Sequence, residues 1–122
     1  LGLWSNEIAD ISSIAGLTNL TKLLVGDNQI GDFSAIAGLS NLSTLGLTNN
    51  QISDISPVAG LTTLTDLRLG GHQINDISAV SGLTSLTWLG LYENQISDIS
   101  PVAGLTRKRD PCGSRFLVLA DC

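Results

Sequence analysis

Residues 45–66 read LGLTNNQISDISPVAGLTTLTD, and this 22-residue unit recurs in register from Leu1, Leu23, Leu67 and Leu89. Repetition at such a period is the signature of a stacked architecture and has to be recognised before any single element is assigned. Aligning the five copies gives seven apolar columns. They are Leu1/Leu23/Leu45/Leu67/Leu89, Leu3/Val25/Leu47/Leu69/Leu91, Ile8/Ile30/Ile52/Ile74/Ile96 and Ile11/Phe33/Ile55/Ile77/Ile99. The others are Ile14/Ile36/Val58/Val80/Val102, Leu17/Leu39/Leu61/Leu83/Leu105 and Leu20/Leu42/Leu64/Leu86, the last broken by Lys108 in the fifth copy. Thus 34 of 35 positions are apolar, and the exception marks where the repeat stops.

One such unit cannot bury its own apolar side, but stacked units bury one another's and build a continuous core. The L-x-L segment alternates inward and outward, as a short strand must. The I-S-P-V-A-G segment supplies the return. Ser56-Pro57 and Ser100-Pro101 read as a capping serine followed by proline at the first helical position. Gly16, Gly38, Gly60, Gly82 and Gly104 read as left-handed stops to a single helical turn. The expected fold is an α/β solenoid: a horseshoe with a parallel, concave β-sheet and short 3₁₀ or helical turns on its convex side. Residues 1–106 hold the five repeats, the last incomplete, and 107–122 form an atypical tail.

Composition narrows the function. The chain is 122 residues long, 43% apolar, and carries a formal net charge of −5. Nucleic-acid binding, which needs a basic stripe, is not expected. No apolar run approaches the length of a membrane span, so membrane insertion is not expected either. Residues 1–106 carry only Lys22 and Arg68 against nine acids, whereas 107–122 hold the other four basic residues and both cysteines. With no Met, and opening inside a repeat, the chain reads as a fragment.

The pattern L-x-L-x-x-N-x-I followed by D-I-S-P-V-A-G-L-T-x-L resembles the 22-residue leucine-rich repeat of bacterial internalins and of a eukaryotic phosphatase-regulating relative. The resemblance covers residues 1–106. It implies a protein-binding horseshoe without catalysis or cofactor of its own. Unlike internalins, the chain shows neither a helical N-terminal cap nor an immunoglobulin-like C-terminal flank.

Two polar ladders accompany the apolar columns. Asn6, Asn28, Asn50, His72 and Asn94 form the first, where a buried side chain can satisfy backbone groups of neighbouring coils. His72 is the only histidine, so residues 1–106 offer no Ser-His-Asp or Cys-His arrangement. The second ladder is Asp10, Asp32, Asp54, Asp76 and Asp98. Its spacing lacks the clustered oxygen ligands of a calcium loop, and no metal is expected. Bonding to nearby backbone N–H groups is the simpler role. The sequons at Asn19 and Asn41 fall where the repeat itself requires N-L-T or N-L-S.

The outward strand positions are not dictated by the repeat. Most are small, as at Gly26, Gly46, Gly70 and Gly90. Against them stand Trp4, Lys22, Leu24, Asp66, Arg68, Trp88 and Tyr92, with Glu93 just beyond. Exposed aromatics and arginine are the usual anchors of protein interfaces. Trp88 and Tyr92, with Arg68 paired to Asp66 or lying over Trp88, are therefore the expected centre of a partner-binding face. The competing reading packs Trp88 and Tyr92 under flanking repeats or the tail.

The tail admits two readings. Leu117 to Cys122 fits L-x-L-x-x-[N/C], 28 residues beyond Leu89, which would make 117–122 a capping strand. Alternatively it is non-native, from a shifted reading frame, because Pro111 and Gly113 stand where strand leucines are due. Cys112 and Cys122 could be bridged or free. The expected function is a non-enzymatic protein-binding module from a bacterial surface or secreted protein, extracellular rather than cytoplasmic. The alternatives are an intracellular scaffold docking on an enzyme such as a phosphatase, or the targeting arm of a larger enzyme. Uncapped coils would favour end-to-end self-association.

Overall fold

The computed structural model describes residues 1–103 and the backbone of 117–118; Cys112, Cys122 and the rest of the tail lie outside the described residues. Strands recur once per coil: β1 (Lys22–Leu24), β2 (Thr44–Gly46), β3 (Asp66–Arg68), β4 (Trp88–Gly90) and β5 (Leu117–Val118). They form one parallel sheet in sequence order. Lys22 pairs with Thr44, Thr44 with Asp66, and Asp66 with Trp88, so the register advances by one repeat at every step. β5 joins β4 through Leu89↔Leu117 and Gly90↔Val118. The first coil adds only a bridge, Gly2↔Leu24.

The apolar columns explain this stacking. Leu23, Leu45, Leu67 and Leu89 at the strand centres are fully buried, as are Ile30, Ile52 and Ile74 behind them. Every apolar edge in the middle coils has a neighbour on both sides. In the outer coils Leu1, Leu17 and Ile99 remain about half exposed.

All helices among the described residues are 3₁₀: Ser12–Gly16, Ser34–Gly38, Ser56–Val58, Ser78–Val80 and Ser100–Val102. None is long and apolar enough to cross a membrane. Two local expectations are corrected here. The helix caps are not the serines. Ser56 is the first helical residue, and the residue before it, Ile55, is committed to the core. The acceptor comes from the Asp column instead: Asp10, Asp32, Asp54, Asp76 and Asp98 each accept the backbone N–H of the serine two residues on, at 2.8–2.9 Å. These bonds hold the carboxyls of Asp10, Asp32, Asp76 and Asp98 below their ordinary value.

Nor are Gly16, Gly38, Gly60 and Gly82 left-handed stops; none has positive φ, and Gly104 lies outside the described residues. The chain turns gradually through successive short bonds instead, such as Leu17 N–H to Ile14 C=O (2.9 Å) and Leu20 N–H to Leu17 C=O (3.0 Å). A Cβ at these glycines would meet open space, and nothing in the structure explains why they are glycine. Left-handed backbone falls elsewhere, at Ser5, Asp27, Asn49, Gly71 and Glu93, the residue before each ladder position. That conformation turns the chain out of the strand and leaves the next side chain directed into the stack.

Candidate functional site

The ladder residues behind the sheet are bound to backbone in a repeating way. Asn28 Oδ1 accepts N–H groups of Asn6 and Ile8 at 3.1 Å, while its Nδ2 donates to the carbonyls of Leu3, Val25 and Gly26 at 2.9–3.0 Å. Asn50 accepts from Ile30 and donates to Val25 and Leu47. Asn94 accepts from Ile74 and donates to Leu69 and Leu91. Asn6, in the first coil, is exposed and donates to Leu3 and Trp4.

His72 occupies the fourth rung, 7% exposed. Its Nδ1 accepts the Ile52 N–H at 3.3 Å, which requires the neutral tautomer with the proton on Nε2. Buried Nε2 has no hydrogen-bond partner. Burial lowers the imidazole pKa, and the backbone of Leu47 and Asn50 counters this only in part.

On the outward face, three columns run across the coils. One is Lys22, Thr44, Asp66 and Trp88; the next is Gly2, Leu24, Gly46, Arg68 and Gly90. The third, by repeat position, is Trp4, Gly26, Thr48, Gly70 and Tyr92. Bulky residues in these columns lie down on the glycine of an adjacent coil. The Trp4 ring covers Gly26, the Tyr92 ring covers Gly70, and Leu24 Cδ2 would stand 2.8 Å from a Cβ on Gly46. The glycines are thus buried seats for side chains of their own sheet.

Asp66, Arg68, Trp88 and Tyr92 line one recess of about 530 Å³, together with Thr48 and Gly90. Arg68 pairs with Asp66 rather than lying over Trp88: Nε reaches Oδ1 at 2.9 Å and Nη2 reaches Oδ2 at 2.8 Å. This pairing holds the guanidinium pKa above its already high ordinary value. Gly90 forms a floor between the aromatics, its Cβ position 3.7 Å from Trp88 Nε1 and 3.8 Å from Tyr92 Cε1. Trp88 is 39% exposed.

The other candidates are not gathered there. Trp4 and Leu24 lie on the first two coils, Lys22 is exposed on β1, and Glu93 sits on the turn rim beyond Tyr92. Thr48, a small outward residue not among the sequence candidates, also lines the recess. Its signal in the sequence is its place in the column of Gly70 and Tyr92.

No group of three or more His, Cys, Asp or Glu among the described residues could hold a metal ion. The stacked coils, parallel sheet and backbone-bound ladder define a leucine-rich-repeat solenoid.

The comparisons refine this class. A family described as leucine-rich repeats in two copies matches residues 40–82. No curated protein matches the sequence significantly. The structure is similar to that of the internalin inlF of Listeria monocytogenes, at TM-score 0.86 and 41% identity over 98% of this chain and 33% of that one. It is similar to internalin C2 of the same organism, at TM-score 0.82 and 40% identity over 94% and 47% respectively. A leucine-rich-repeat protein of Leptospira interrogans gives TM-score 0.81 and 28% identity over 98% and 30%. The chain therefore spans a third to a half of the length of these internalins. It is an internalin-like leucine-rich-repeat segment. Leucine-rich repeats generally act as protein–protein interaction modules.

Proposed function

We propose that the chain is a non-enzymatic module of a bacterial surface or secreted protein that binds a protein partner on its concave sheet face. Trp88, Tyr92, Arg68 and Asp66 are its anchors. The observation that carries this reading is their meeting in one recess, contributed by β3, β4 and the turn after β4. Two aromatics over a glycine floor, beside a paired arginine, offer apolar area and directed hydrogen bonding at little ordering cost. Similarity to two Listeria internalins supports the bacterial, extracellular setting. Lys22, Leu24, Trp4 and Glu93 extend the face.

The test is the double substitution Trp88→Ala plus Tyr92→Ala, with affinity for a selected protein binder measured by calorimetry. A loss of more than about 2 kcal/mol is expected, the scale of interface hot spots. A loss below about 1 kcal/mol would place the binding surface elsewhere.

A further inference from the structure

Resting on the concave-face reading, we propose that the recess seats an acidic side chain, Asp or Glu, of the partner polypeptide. Its walls are rich in donors, and apart from the paired Asp66 its side-chain acceptors are the hydroxyls of Thr48 and Tyr92, which can also donate. Trp88 Nε1–H, the Tyr92 hydroxyl and Arg68 Nη1 all belong to residues lining the recess, and none has a hydrogen-bond partner among the described residues. An indole N–H and a guanidinium can only donate, and a phenol donates readily to a carboxylate. Asp66, the carboxylate of the recess, has both oxygens bonded to Arg68. The Arg68 side chain is 45% exposed against 23% for Asp66, so an incoming group meets the guanidinium edge first.

Asp66 thereby orients Arg68 without covering it, leaving Nη1 free to donate. Gly90 leaves the space a side chain needs between the two rings.

Apart from Glu93 on the turn rim beyond Tyr92 and the paired Asp66, charge distribution points the same way. Lys22 and Arg68, the two Lys or Arg side chains of residues 1–103, both lie on the outward sheet face. The Asp ladder lies at the starts of the 3₁₀ turns, on the far side of each coil. Screening over about 8 Å at physiological ionic strength weakens its repulsion of an acid at the recess. Lys22 stands two strands from Arg68, about 10 Å, within reach of a second acid on the same partner.

The experiment is to pan a display library of random linear peptides on the protein, keeping peptides that bind wild type and not Trp88→Ala. Enrichment of Asp or Glu at a set position is expected. Each selected peptide should lose about tenfold in affinity with Arg68→Gln, and about the same when its acid is changed to the amide, the scale of one charge-assisted hydrogen bond. Circular dichroism checks that both variants fold. Binders that depend on Trp88 but carry Lys, Arg or only apolar residues there overturn the acidic assignment and leave the concave-face reading standing. Binders indifferent to Arg68→Gln overturn it as well. Recovery of no Trp88-dependent binder overturns both.

Discussion

Replacing His72 by asparagine should make this protein more stable, because the fourth rung is the one place where the ladder is chemically incomplete. Asn50 and Asn94 each donate from Nδ2 to a carbonyl of their own coil and one of the coil before. At position 72 the equivalent carbonyls belong to Leu69 and Leu47. The imidazole instead keeps a buried Nε2 with no hydrogen-bond partner, and the backbone of Leu47 and Asn50 favours its proton too weakly to offset burial. A buried unsatisfied polar group costs about 1–3 kcal/mol. Part of the gain is offset by packing lost when a ring gives way to a smaller amide, so a net stabilisation of about 1–2 kcal/mol is expected. Urea unfolding at neutral pH reads it as a midpoint shift of roughly 0.5–1 M, for a slope near 2 kcal/mol/M.

The pH dependence makes the test sharper. His72 is held neutral by burial, with its folded pKa below the ordinary 6.5. Protonation would also set a donor on Nδ1 against the Ile52 N–H that it now accepts. The unfolded chain therefore takes up a proton that the folded chain refuses. Stability from this group is present above about pH 6.5 and falls as pH drops toward the folded pKa, by at most about 1.4 kcal/mol per pH unit. Wild type should show this slope as pH falls below about 6.5 toward the folded pKa, and His72→Asn should lack it. A variant no more stable than wild type at neutral pH, and carrying the same slope, would refute the reasoning.

Gly71→Ala should cost about 1–3 kcal/mol, because φ is +72° and the new Cβ would collide with Asn49 Oδ1. Gly60→Ala, with ordinary φ and open space, should be neutral or stabilising by up to about 1 kcal/mol; paired thermal melts compare them. Asp76→Ala should lower the melting temperature while Asp76→Asn largely preserves it, since the Ser78 N–H needs an acceptor. The Asp76 carboxyl is lowered from 3.8, so its contribution is present above that value and lost as pH falls through the folded pKa; titration of the Asp76 carboxyl carbon by NMR checks the sign. Gly70→Ala should displace the Tyr92 ring with little loss of stability, seen as altered Tyr92 ring shifts and weaker partner binding.

The fold was legible because a 22-residue period turns one reading into five. Each apolar column meets its own copy one coil on, and the pairing of Leu23 with Leu45 and Leu45 with Leu67 follows from repetition alone. The sequence also determined which side chains point out, since alternation in L-x-L leaves no choice. It misplaced the helix caps because Asp and Ser lie two residues apart and both can cap. It misassigned the left-handed residues because glycine is not needed at most of them: serine, aspartate, asparagine and glutamate occupy four of those five turns.

What only the tertiary structure decided is how outward side chains lie across the coils. Trp4 leans forward onto Gly26, Tyr92 leans back onto Gly70, and Arg68 folds onto Asp66 within its own strand. These are rotamer choices made among residues one repeat apart or across one strand face, and several would satisfy the same pattern of letters. The recess beside Trp88 exists because those choices lay no ring directly on Gly90, which stays as a buried floor flanked by Trp88 and Tyr92. Periodicity determines which residues are neighbours; packing decides which of them fill the space between.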